Sequence, residues 1–207
     1  MGVYEVTQEQ YQAIMNYNQK SNQDNKNLLK QIVNFFGSGK TNQSHFKGEA
    51  NLPVENITWN DAVKLCRKLS EITNKEYRLS TEAEWEYAAK GGENFEYAGS
   101  DNLDEVAWYD GNSGSKTHPV GQKKPNGYGL YDMCGNVMEW CNDWYDENYY
   151  SNSPNKNPKG PNFGTVRVVR GGSWVDGLYF MRCADRSGAS SDYRGINIGF
   201  RVVLSSK

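Results

Sequence analysis

Residues 125–145 read PNGYGLYDMCGNVMEWCNDWY, and no helical period runs through them: Gly127, Gly129 and Gly135 with Asn126, Asn136 and Asn142 cut the stretch into pieces no longer than a short strand. Trp140 and Trp144 are expected in or near a core, because so large an apolar surface is seldom left in water. The same punctuation by Gly, Asn, Pro and Asp continues from residue 93 to the end, with no further long helical pattern.

Ahead of it the chain reads differently. Residues 7–17, TQEQYQAIMNY, suit a helix with Thr7 as N-cap and Tyr11, Ile14 and Met15 on one face. Residues 2–6 resemble the tail of a strand, which leaves the chain starting in mid-sheet and implies a segment upstream. Residues 53–74 give an extended entry and an amphipathic helix with Val63, Cys66, Leu69 and Ile72 at helical spacing. In residues 79–92, LSTEAEWEYAAKGG, Thr81 with Glu84 has the capping-box pattern and Gly91 with Gly92 supplies the stop. Residues 21–50 are polar, rich in Asn, Gln and Lys around an apolar island at 32–36, and are expected as a surface excursion. Two main helices and a strand-rich, irregular remainder give an α+β chain.

Length and composition narrow the function. The 207 residues are expected to form one domain, 1–207. A net charge of -2, with basic neighbours only as the pairs Arg67-Lys68 and Lys123-Lys124, gives no footprint for nucleic acid. No apolar run approaches the roughly 20 residues a membrane span needs. A mean hydropathy of -0.85 beside 13% aromatic residues describes a loop-rich, aromatic-cored fold. Cys66, Cys134, Cys141 and Cys183 show no C-x-x-C spacing, and only His45 and His118 are available, so neither a zinc nor a His-based centre is expected. The thiols are expected buried, with at most one incidental disulfide.

Four segments stand in order: residues 79–92, residues 125–145, residues 167–174 (RVVRGGSW) and residues 197–202 (NIGFRV). Together they resemble the formylglycine-generating enzyme family, also called the sulfatase-modifying-factor domain, over about residues 4–203. The resemblance implies a C-type-lectin-like fold, loop-rich with two main helices and a small antiparallel sheet. Enzymes of that family oxidise a substrate cysteine to formylglycine with copper held by two cysteines just after the segment matching residues 171–174. Here residues 175–180 read VDGLYF, without a cysteine, and Cys183 matches a position where a thiol packs. A soft Cu(I) ion wants thiolates, so no catalytic residue and no copper is expected. The related iron-dependent sulfoxide synthases need a histidine cluster that two histidines do not make.

The resemblance also implies a structural calcium, the single cofactor this reading allows, held by oxygens of Asp132, Gly135, Val137 and Glu139. Hydrogen bonds that pin the turn are the competing reading of those two carboxylates. Arg186 and Arg201 are read as structural ties, their planar guanidinium groups fastening loops to the sheet.

A second branch resembles the chain more closely: the variable proteins of diversity-generating retroelements, those of treponemes among them. In these, the resemblance implies, the end of the gene is rewritten by copying with errors at adenines. An AAC codon altered at its adenines reaches fifteen amino acids but not Lys, Glu, Gln, Met or Trp. In residues 175–198 only Met181 lies outside that set. The variable region is placed at about 167–203. Its clamping ends would be scaffold, and Val175, Asp176, Gly177, Tyr179, Phe180, Asp185, Ser187, Gly188, Ser190, Tyr193 and Gly195 would form an exposed, diversifiable binding surface. Tyrosine and phenylalanine suit that role, offering rigid contact area at low entropic loss.

The expectation is a monomeric, non-catalytic display protein on the outside of a bacterial cell, binding a protein or glycan, with an export signal or lipid anchor upstream. A catalytically inactive family member with a fixed role and a surviving formylglycine-generating oxidoreductase stay open as alternatives.

Overall fold

The computed structural model describes residues 1–17 and 42–205. Most of the polar excursion at 21–50, with its apolar island at 32–36, lies outside the described residues. Its far end is anchored: the Asn42 side-chain amide donates to Gln8 Oε1 at 2.7 Å, and Gln8 Nε2 to the Phe46 carbonyl at 2.8 Å.

Three helices form where local capping specifies them. Helix α1 (Gln8–Asn16) is opened by Thr7, whose hydroxyl accepts from the Gln10 amide while the Gln10 side chain accepts from Thr7 N. Helix α2 (Trp59–Thr73) repeats the reciprocal cap with Thr58 and Asp61 and ends at Asn74 in the left-handed conformation. Its buried face is Ala62, Leu65, Cys66 and Leu69, while Val63 and Ile72 are only partly buried. The face therefore lies slightly rotated from the one that spacing alone suggests. After strand β1 (Tyr77–Arg78), helix α3 (Glu82–Lys90) has the expected Thr81–Glu84 box and stops at Gly91, whose φ of 58° favours glycine. A single turn, α4 (Leu103–Val106), leads into β2 (Ala107–Trp108).

The remaining strands are β3 (Cys134–Gly135), β4 (Met138–Trp144), β5 (Arg167–Arg170), β6 (Ser187–Ala189), β7 (Ile198–Gly199) and β8 (Val203–Leu204). Four of them form a sheet in the order β6-β5-β4-β7. The expected antiparallel pairing holds for β4–β5 and β5–β6, but β4–β7 is parallel. Two small pairs complete the set, β1–β8 antiparallel and β2–β3 parallel. Residues 2–6 make no named strand; they run beside the chain's end, Gly2 N donating to the Val202 carbonyl and Val6 N to the Phe200 carbonyl.

Alternation along β4 and β5 divides the core. Cys141 and Val168 face a cluster with Trp85 and Ala89 of α3, Met133, Met181 and Cys183. Trp140 and Val169 face the other way, against Tyr11 and Ile14 of α1, Leu65 and Leu69 of α2, Ile198 and Phe200. Trp144 sits half-buried at the strand end, where the Arg167 guanidinium is held 3.4 Å from its ring centroid and 3.8 Å from that of Trp59. Among the described residues no helix is long and apolar enough to cross a membrane.

Candidate functional site

The segment leaving β5 turns at Gly171 and Gly172, with φ of 95° and 65°. A Cβ on Gly172 would meet Met181 Cε at 2.3 Å, so this glycine is what lets Met181 pack beneath the turn. The two ends of the segment are then fastened together. Trp174 Nε1 donates to the Ile196 carbonyl at 3.2 Å, and Asn197 Nδ2 to Ser173 Oγ at 3.3 Å. Ser173 in turn donates to Asp176 Oδ2. Ser113 Oγ donates to the Trp174 carbonyl at 2.7 Å, and the Trp174 amide to the Asn136 carbonyl at 2.9 Å, tying the clamp to the body.

Between the clamped ends the chain alternates between anchors and exposed side chains. Met181 and Cys183, 0% and 2% exposed, drop into the core on the α3 side of the sheet. Around them Tyr179 is 71% exposed, Tyr193 52%, and Val175 and Phe180 49% each. Ser190 is exposed and pairs with Asp192; Asp176, Gly177 and Asp185 are half-buried, Asp185 facing Arg182 at 3.6 Å. Ser187 and Gly188 lie in the edge strand β6, not in loop, opposite Val169 and Val168. Gly195 differs from its expected place: it is buried, and its carbonyl accepts from Asn56 N at 2.9 Å. A Cβ there would meet Asn197 Oδ1 at 2.8 Å, so position 195 belongs to the scaffold.

This is an open face. A cleft of about 580 Å³, lined by Arg78, Thr81, Glu84, Tyr87, Asn142 and Lys159, takes in no residue of the 175–198 segment, and a second of about 430 Å³ takes in only its Ala184 and Arg186, beside Glu86, Lys90 and Tyr150. Nor does the face carry thiolates. All four cysteines are buried, and among the described residues no group of three or more His, Cys, Asp or Glu is arranged to hold a metal ion. Residues 175–182, which follow Trp174, contain no cysteine and so do not fit a two-cysteine copper centre.

The turn expected to hold calcium is a buried carboxylate cluster around one guanidinium. Glu139 Oε1 accepts from Arg201 Nη2 at 2.7 Å, and its Oε2 from Arg201 Nε at 2.7 Å and Trp85 Nε1 at 2.8 Å. The rest of Arg201 reaches the carbonyls of Gly2, Val3, Tyr131 and Asp132, so it ties two further chain segments to β4. Asp132 Oδ2 accepts from Gly121 N at 2.6 Å, and burial pushes its carboxyl up to about 6. Gly135 and Val137 lie on the same turn. A Cβ at Gly135 would stand 2.2 Å from the Trp108 carbonyl, and the Val137 amide donates to Glu5 Oε1 at 3.1 Å.

Glu5 is a member that sequence reasoning missed. Its other oxygen accepts from Asn136 Nδ2 at 2.8 Å, and burial first, then Asp132 and Glu139, hold its carboxyl well above the ordinary range. Nothing local marks residue 5, since its partners stand more than 130 positions away. Of the three carboxylates Glu139 alone bonds the Arg201 guanidinium, and Glu5 and Asp132 act on it through charge. In kind and charge the oxygens suit calcium, although the Glu139 carboxylate is already engaged by Arg201 and Trp85.

Arg186 also acts as a tie. Its Nε and Nη2 donate to the two oxygens of the buried Glu82 at 2.7 and 2.9 Å, and Nη1 to the carbonyls of Asp146 and Glu147.

Comparison with known proteins places this architecture. The solved structure of Treponema denticola variable protein 1 superposes with a TM-score of 0.78 at 34% identity, covering 96% of this chain and 83% of that one. The Chaperone protein LppX of Paenibacillus barcinonensis is 33% identical over a gapped alignment of 258 positions that covers 99% of this chain and 79% of that protein. A formylglycine-generating enzyme of Streptomyces coelicolor is 38% identical over an alignment of 181 residues that covers 78% of this chain but only 55% of the enzyme. With the model of the sulfatase-modifying factor enzyme 1-like domain matching residues 1–206, the chain belongs to that family.

Proposed function

We propose that this family member is a non-catalytic binding protein that presents the exposed side chains of residues 175–193 to a macromolecular ligand, a protein or a glycan, outside the cytoplasm. The observation that carries the reading is the division of labour along one short segment. The residues that pin it, Met181, Cys183 and Gly195, are buried, while Val175, Tyr179, Phe180, Ser190 and Tyr193 face solvent. Met181, the one residue outside the set reachable from an altered AAC codon, is fully buried under Gly172. That is where a diversified surface needs a constant anchor, because core truncations cost about 2–5 kcal/mol each. An open aromatic face also fits a macromolecule better than a small molecule, which prefers an enclosing pocket. The likeness to a variable protein supports the reading, and the name of the Paenibacillus relative, a chaperone, is likewise a binding role.

The experiment replaces Val175, Tyr179, Phe180, Ser190 and Tyr193 together by Ala or Ser. Urea unfolding should stay within about 1 kcal/mol of the parent, as for surface changes away from caps and cores. Trp174→Ala, by contrast, should lose about 3 kcal/mol. The reverse ranking would exchange scaffold and display surface. A near-copy of the gene's 3' end, differing only at adenines and lying beside a reverse transcriptase gene, would identify the segment as diversified.

A second reading, a formylglycine-generating oxidase, draws on the 38% identity to the Streptomyces enzyme. Incubation with Cu(I) and a cysteine peptide should give no aldehyde by mass, since residues 175–180 offer no thiolate. Turnover would overturn the binding reading.

A further inference from the structure

We propose that Cys134 and Cys183 form an oxidisable pair that closes to a disulfide and covalently fastens the middle of the displayed segment to β3. The two residues are 49 positions apart, yet the same short stretch of backbone holds both: Cys134 Sγ accepts from the Ala98 amide at 3.2 Å, and the Cys183 amide donates to the Glu96 carbonyl at 3.0 Å. Both lie in the cluster on the α3 side of the sheet. Each of the two thiols is the largest influence on the other's proton, as groups that lie side by side are.

The contact separates these thiols from the other two. Burial pushes Cys66 up to about 12 and Cys141 well above its ordinary value, and neither faces a second cysteine. Cys183 alone moves down, chiefly through the hydrogen bond from Cys134 and then through Arg170, against the effect of burial. Cys134 moves up, as the group that keeps the proton. Arg182 and Ala184 on either side of Cys183 are exposed, while Cys183 itself is 2% exposed.

The chemistry is thiol–disulfide exchange with a small-molecule disulfide such as oxidised glutathione. The Cys183 thiolate attacks one sulfur, breaks the S–S bond and expels one glutathione thiolate, which takes up a proton. Cys134 then loses its proton, attacks the Cys183 sulfur and expels the second. Two protein thiols are oxidised and one glutathione disulfide is reduced to two thiols. The bond closes a loop of about 50 residues, a length for which chain-entropy arguments give substantial stabilisation of the folded state. The proposal does not depend on the binding reading, because the bond would fasten this segment whether it varies or not.

To test it, the folded reduced protein is incubated with oxidised glutathione, denatured, alkylated and mapped by mass spectrometry. The expected result is loss of two alkylatable thiols, one cross-linked peptide pair containing Cys134 and Cys183, and full alkylation of Cys66 and Cys141. The oxidised form should melt several degrees higher than the reduced form, and Cys134→Ser should hold glutathione on Cys183 as an unresolved mixed disulfide. Four alkylatable thiols after exposure, a cross-link to Cys66 or Cys141, or stable glutathione on Cys183 of the unsubstituted protein would each overturn the proposal. The mapping uses the unsubstituted chain, so it decides even if the variant does not fold.

Discussion

The cluster around Arg201 and the segment between Trp174 and Ile198 are built by opposite rules. In the cluster, Glu139 and Arg201 are each 1% exposed, and their polar atoms are spent on partners spread from Gly2 to Asp132. In the segment, the chain is fixed at its two ends and through Met181, Cys183 and Gly195, and the side chains between face water. The difference teaches where sequence can change. A buried charge deprived of its partner has no solvent to fall back on, whereas an exposed tyrosine is replaced at little loss once its backbone is held from elsewhere.

The largest expected effect therefore comes from breaking the cluster. Arg201→Ala or Glu139→Ala should lose about 3–5 kcal/mol in urea unfolding, because each leaves an uncompensated buried charge. Either variant melting like the parent would remove the contrast between the two regions.

Calcium sharpens the comparison next. If Asp132, with oxygens of Gly135, Val137 and Glu139, binds the ion in the folded state alone, calcium at 100 times its Kd should stabilise by about 2.7 kcal/mol, and Asp132→Ala should abolish that gain. An unchanged melting temperature on chelation would leave the turn pinned by hydrogen bonds and by Arg201 alone.

A smaller, pH-dependent effect is expected at Glu55, beside the clamp. Its carboxyl is buried, Oε1 accepts from the Phe46 amide, and Oε2 has no hydrogen-bond partner among the described residues. Burial pushes it up to about 7. A carboxyl raised in the folded state binds more protons there than in the unfolded chain. Its destabilising effect is therefore absent below about 4.5, grows as pH rises, and is complete above about 7. Glu55→Gln should be more stable than the parent at pH 8 and no more stable at pH 4, measured by urea unfolding at both. A constant difference between the two pH values would show that Glu55 does not titrate in this range. The smallest effects belong to the displayed face, where Tyr179→Ser or Tyr193→Ser alone should shift stability by no more than about 0.5 kcal/mol.

The features legible in the sequence are those whose causes are local. Each capping box is a hydrogen-bonded exchange between residues three apart, so Thr7 and Thr81 announced their helices, and Gly91 announced the stop. The four ordered segments carried the family, and the absence of a cysteine pair just after Trp174 carried the doubt about oxidation. What only the tertiary structure decided are contacts between residues far apart in the chain. Glu5 entered the carboxylate cluster, Cys134 and Cys183 came to the same stretch of backbone at 96–98, β7 paired parallel to β4, and Gly195 turned inward against Asn56. The residue patterns around these positions are the same whether such contacts form or not. The choice is made when the sheet buries its two faces and every polar group left inside has to find a partner.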